Sequence, residues 1–159
     1  MNYKNLPKDS RVWVYQSNRE FTDKEVEEIT QKGEAFVEDW AAHGEDLSAA
    51  LSVFYNRFIV LFADESKVIA SGCSIDTSIN FIKSIGNDYQ IELFDRLNIA
   101  YRNKDKIASM KIEDFQEALS NGELGEDTLV FNNLVETIYD FETAWEVPVK
   151  ESWHAQLLA

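Results

Sequence analysis

At 159 residues, with 45% hydrophobic and 13% aromatic side chains, the chain can build one core of ordinary size and is too short for two substantial ones. Six glycines and two prolines exclude a collagenous, linker-rich or disordered chain. Fifteen basic against twenty-nine acidic residues give a net charge of −14, which argues against nucleic acid or an anionic membrane as the partner.

The first predicted element is a strand over Asp9–Tyr15, where Val12 and Val14 alternate with Trp13 and Tyr15. A helix follows. Thr22 and Glu25 have capping-box spacing, and Phe21 is placed to staple onto Val26. Val26, Ile29, Gly33, Phe36, Val37 and Trp40 then recur at helical spacing, and Gly44 is a stop signal. Leu51–Ala63 is the strongest strand signal, and Phe58–Phe62 has the continuous apolar character of a strand covered on both faces. Asn56-Arg57 interrupts it, either as a bulge or as a tight connection between two strands. Ala70–Asp76 reads as a loop with Ser74 or Asp76 as the N-cap of a helix, which carries Ile75, Ile79, Ile82 and Ile85 and stops at Gly86-Asn87.

Leu97–Tyr101 and Lys106–Met110 form a predicted hairpin around a four-residue loop. A short helix on Ile112, Phe115, Ala118 and Leu119 closes at Asn121-Gly122. Thr128–Phe131 is a further strand. Thr137 and Asp140 open a last helix that Val147-Pro148 breaks, and Ser152–Leu158 adds a helical turn. The order β-α-β-α-β-β-α-β-α predicts a single α+β domain over residues 1–159. Its expected form is a two-layer sandwich with a mixed, mostly antiparallel sheet, loosely ferredoxin-like.

Cys73 is the lone cysteine, no glycosylation sequon occurs, and the first residues lack the apolar run of a signal peptide, all of which favour a cytoplasmic location. The longest apolar run, Phe58–Ala63, is six residues against the roughly 20 needed to span a bilayer, so no membrane insertion is expected. Negative charge concentrates in residues 20–46 (net −8) and 112–149 (net −10), whereas residues 47–111 sum to +1. Solvated helix faces account for the acidic segments, with docking to a basic protein partner as the sharper alternative. A small anionic ligand belongs near the middle segment.

Motifs of well-defined chemistry are absent. The sequence has no phosphate-binding P-loop, no G-x-G-x-x-G, no zinc-spaced Cys/His pair, no H-E-x-x-H and no calcium loop, and no cofactor is implied. His43 and His154 read as surface or capping residues. One constellation stands out: Ser71, Gly72, Cys73, Ser74 and Asp76. A small-residue loop entering a helix offers free N–H groups and hydroxyls to an anion and can activate a thiol. The alternative is simple capping, with Cys73 packed as a small hydrophobe. The Cys-x₅-Arg loop of cysteine phosphatases is not met, because Ile79 occupies the arginine position. Arg57 and Arg96, in the same segment as Asn56 and Asn98, are candidates to orient an anionic substrate, with structural pairing to an acid as the alternative. Asp64, Glu65, Asp76 and Asp95 are candidates to gather around a divalent cation.

Arg11–Arg19, Tyr55–Ile59, Ser71–Asp76 and Val130–Val135, with Trp145–Pro148 and Glu151–His154, resemble a family of short uncharacterised bacterial proteins often labelled "ABC transporter ATPase". The resemblance runs over essentially the whole chain. The label implies nucleotide hydrolysis, which the missing P-loop lysine contradicts. The resemblance carries no catalytic residues with it. The sequence therefore predicts a cytoplasmic binding domain without catalysis, for a protein or a small anionic ligand. The alternative is a small-molecule enzyme acting through Ser71–Asp76 with Arg57 or Arg96; oligomeric state is left open.

Overall fold

A computed structural model of the chain describes residues 2–43, 47–66, 70 and 72–158, with 41–43 as backbone. The predicted capping box closes α1 (Asp23–His43): the Thr22 N–H donates to Glu25 Oε1 at 2.9 Å, and the Glu25 N–H donates to Thr22 Oγ1 at 3.1 Å. The Gly44 stop lies outside the described residues. Around α1 the chain forms β1 (Arg11–Gln16), β2 (Ser48–Phe54) and β3 (Phe58–Asp64), an antiparallel sheet in the order β1-β3-β2.

The continuous apolar run of β3 reflects burial on both sides. Phe58, Val60 and Phe62 point into one core cluster, and Ile59, Leu61 and Ala63 into another, all six fully buried. Each large side chain so buried contributes about 1.5–3 kcal/mol. The helical side holds Ile29, Val37 and Trp40 of α1 with Ile82 and Ile85 of α2 (Gly72–Tyr89). Gly33 lets α1 come close: a Cβ there would sit 2.5 Å from Leu51 Cδ2.

Asn56-Arg57 marks a turn. Tyr55 and Asn56 both have φ of 54°, as a type I′ turn requires, and the Arg57 N–H donates to the Phe54 carbonyl at 3.0 Å. Tyr55, bulky for such a backbone, stacks on Trp145 and lies beneath the Arg102 guanidinium at 4.8 Å.

The second sheet has the order β5-β4-β6-β7, from β4 (Asn98–Asn103), β5 (Lys106–Lys111), β6 (Leu129–Phe131) and β7 (Glu146–Pro148). The hairpin loop is two residues, Lys104-Asp105, shorter than the four expected, because Arg102 and Asn103 continue the ladder opposite Ile107 and Lys106. One face of this sheet joins Ala100 and Phe131 to the first sheet's Phe58 and to Phe141 and Trp145 around α4 (Ile138–Ala144). The other packs Ile99, Tyr101 and Val130 against Phe115 of α3 (Ile112–Ser120) and the tail.

The α+β class and antiparallel pairing hold. The α+β layers are built from two antiparallel sheets, not one mixed sheet; the sheets share a core that α4 enters, with α1 and α2 on the far face of the first and α3 on the far face of the second. The reason is β3, whose two apolar faces each need a covering layer. The strand β7 was not expected, since three residues carry too little periodicity to register.

Gly86 does not stop α2. The helix runs on to Tyr89, and Gln90 takes the left-handed cap position at φ 53°. The Ile91 N–H returns to the Gly86 carbonyl at 2.9 Å, closing a Schellman motif. A Cβ on Gly86 would meet the Ile91 carbonyl oxygen at 2.9 Å, a backbone atom that cannot swing aside. Gly86→Ala is therefore expected to lower stability by about 1–3 kcal/mol in urea unfolding, although alanine favours helices.

Candidate functional site

The Ser71–Asp76 segment does not form a loop over most of its length. Helix α2 begins at Gly72, so Cys73, Ser74 and Asp76 occupy its opening turns and neither Ser74 nor Asp76 stands before the helix as its N-cap. Ser71 lies outside the described residues. Small residues and Gly72 read as loop in the sequence; packing of the isoleucine stripe extends the helix through them. Cys73 is exposed, with its carbonyl accepting from Thr77 Oγ1 at 2.9 Å, and Gly72 has open space about it. The Ser74 carbonyl accepts from Trp40 Nε1 at 3.1 Å, fastening this turn to α1.

Arg57 sits at the β2–β3 turn and reaches Ser109 Oγ of β5 at 3.4 Å. Arg96 is elsewhere, exposed at a cleft of about 590 Å³ bounded by β1, α2 and the start of β4. Of the Ser71–Asp76 segment, Ile75 contributes to this cleft, and Asn98 lies at its edge. The structure thus brings Ile75, Arg96 and Asn98 together and leaves Arg57 and Cys73 out of the lining.

Strand β1 forms one wall of the cleft. Trp13 and Tyr15 alternate with Val12 and Val14 along its wall, joined by Ile79 of α2 and by Phe94, whose ring meets Tyr15 edge-on at 5.5 Å. Phe94 and Leu134 leave 40% and 60% of their surface in water, so apolar area continues out of the mouth. Burial pushes the Tyr15 hydroxyl pKa up, opposed by the Arg96 charge, so the phenol stays protonated at neutral pH.

Three cations, Arg11, Lys83 and Arg96, and two carboxylates, Asp95 and Glu136, lie on the lining. Arg11 is engaged, 3.6 Å from Glu65 and over the Trp13 ring at 4.9 Å. Lys83 and Arg96 form no ion pair among the described residues. Neighbouring Asp95 is turned away from Arg96, accepting from the Leu97 N–H at 2.9 Å and approaching Lys111 at 3.9 Å.

On the cleft's own lining runs a partly buried polar seam that no local sequence signal singled out. Gln16 donates through Nε2 to the Asn98 carbonyl and accepts through Oε1 from Asn133, both at 2.9 Å. Asn133 accepts in turn from Trp145 Nε1 at 3.0 Å. These bonds tie β1 of the first sheet to the second. The signal available was a glutamine and an asparagine abutting apolar strands, where an amide persists only if its bonds are met.

His154 is a correction. Expected at the surface, it is buried on the inner wall, stacked on Trp153 with ring centres 3.9 Å apart and bonded through Nδ1 to Ser152 Oγ at 2.6 Å. Burial drives its pKa down to about 4, so it is neutral near pH 7. His43 has no described side chain.

The four carboxylates offered for a cation do not assemble: among the described residues no group of three or more His, Cys, Asp or Glu is placed to hold a metal. Glu65 instead accepts from the Ala70 N–H at 2.6 Å. No helix among the described residues is long and apolar enough to cross a membrane. No protein-family model, curated protein or solved structure matches the chain.

Proposed function

We propose that this chain is a cytoplasmic, non-catalytic binding domain whose ligand is a small organic anion with an apolar body, seated in the cleft beside β1. The observation that carries the reading is the pairing of aromatic walls with Lys83 and Arg96, which form no ion pair among the described residues, in a chain of net charge −14. Two cations left at one apolar cleft supply a counter-charge and a hydrogen-bonding fork for an anionic head, while Trp13, Tyr15 and Phe94 take its body. The volume suits a molecule of cofactor size. The alternative is a small-molecule enzyme acting through Ser71–Asp76 with Arg57 or Arg96; of these, Ile75 and Arg96 reach the lining, and Cys73 faces solvent outside it.

The probe is 8-anilinonaphthalene-1-sulfonate, an aromatic anion that fluoresces when desolvated. Saturable binding at one site is expected. Arg96→Ala is expected to weaken it about tenfold, corresponding to roughly 1.4 kcal/mol, with a further loss on adding Lys83→Ala. Raising salt should weaken the wild type more than the double variant. Equal affinity of wild type and double variant, with near-ultraviolet circular dichroism unchanged, would overturn the proposal.

A further inference from the structure

A second feature, independent of the cleft, lies at the other end of the first sheet. In the order β1-β3-β2, strands β1 and β2 are both edges, and they are treated differently. The outer side of β1 is closed by the 136–138 segment: the Val12 N–H donates to the Glu136 carbonyl at 2.9 Å, and the Ile138 N–H donates to the Ser10 carbonyl at 3.0 Å. In the second sheet, edge strand β5 carries Lys106 and Lys111, and edge strand β7 carries Pro148. Charge and proline are how sheet edges are kept from pairing with foreign strands. Strand β2 reads Ser-Ala-Ala-Leu-Ser-Val-Phe, seven residues with neither a charge nor a proline.

The orientation of its backbone follows from the turn. The Phe54 carbonyl accepts from Arg57, so the peptide groups of Phe54 face β3. Alternation then turns the N–H and C=O groups of Ala49, Leu51 and Val53 toward the free edge. Along that edge runs an open groove of about 890 Å³, lined by Leu47–Val53 on one side and by Thr30, Glu34 and Glu38 of α1 on the other. The three α1 residues fall at i, i+4 and i+8, one stripe of the helix, and both glutamates are exposed. No lysine or arginine is among the lining residues.

We propose that the free edge of β2 receives an extended, cationic segment of a partner protein, which adds as a fourth strand beside β2 while its basic side chains meet Glu34 and Glu38. Main-chain hydrogen bonds to Ala49, Leu51 and Val53 supply the docking, and the glutamates select its charge. The same carboxylates select against a second copy of this chain. Pairing β2 with its own duplicate would bring two acidic α1 faces of like charge beside one shared edge.

The test uses a fluorescein-tagged nine-residue peptide alternating lysine and valine, read by anisotropy against the full chain. Saturable binding is expected, weakening about tenfold or more between low and moderate salt. A peptide of the same sequence, N-methylated at alternate amides, keeps the charge and loses the strand's donors; it is expected to lose binding. The exposed pair Glu34→Lys and Glu38→Lys should abolish binding without unfolding the chain, and an alternating glutamate and valine peptide should then bind in its place. Ala49→Pro removes one outward N–H and should weaken binding of the parent peptide. Equal binding of the N-methylated peptide would overturn strand addition. Unchanged affinity in the double glutamate variant would overturn the charge assignment. Self-association of the chain in sedimentation, competed by the peptide, would assign the edge to a second copy and overturn the partner.

Discussion

Replacing Trp145 with alanine is expected to lower the unfolding free energy by about 3–5 kcal/mol, the range for removing a large buried aromatic. Trp145 is almost wholly buried and touches the rings of Phe54, Tyr55, Phe58, Phe131 and Phe141. It therefore sits where the first sheet, the second sheet and α4 meet, and a cavity there opens onto all three. The indole also donates to Asn133, whose carbonyl oxygen would be left unmet. Trp145→Phe separates the two effects: it retains most ring contact and loses the donor, for an expected cost of about 1–3 kcal/mol. Urea denaturation of both variants checks this. Equal, small losses in both would show that the surrounding rings close over the vacancy.

The second large effect is a dependence on pH. His154, held neutral by burial with a pKa of about 4, has an ordinary value near 6.5 when unfolded. Between these values the unfolded chain binds a proton that the folded chain refuses, so stability rises with pH across the interval. Above about pH 6.5 the group is neutral in both states and contributes no slope. Lowering the pH from 7 to 4 at constant temperature should cost about 3 kcal/mol through this group. His154→Asn, which cannot titrate, should flatten the curve between pH 6.5 and 5. A second acid-side loss begins below about 4.5, where Glu25, held at about 2 chiefly by its bonds with Arg19, starts to take up protons only in the unfolded state. An unaltered slope in His154→Asn between pH 6.5 and 5 would remove the histidine from this role.

Much of the architecture was legible because local signals agreed with tertiary ones. The Thr22–Glu25 box, the stripe from Val26 to Trp40 and the doubly apolar β3 each describe a local constraint that the fold also satisfies. The candidate site was legible only in pieces. Arg96 and Asn98 were singled out as polar residues beside apolar strands in the least acidic segment, and both lie on the cleft. Its aromatic wall was visible as the first strand, with nothing local to mark Trp13 and Tyr15 as lining a cavity. Gln16 and Asn133 meet across most of the chain's length, a relation no window of sequence contains. The Ser71–Asp76 segment misled for the opposite reason: its composition is that of a loop, and the isoleucines one turn further on decide the matter.

The position of β1 has a consequence for how the protein is made. This strand leaves the ribosome before both of its flanks, and while one flank is β3, the other is the 136–138 segment, synthesised far later. Until that late segment emerges, the outer side of β1 is an open edge of the nascent chain. Closure of this edge thus waits on the 136–138 segment, and contacts so distant in sequence make folding slow relative to helical proteins of the same size.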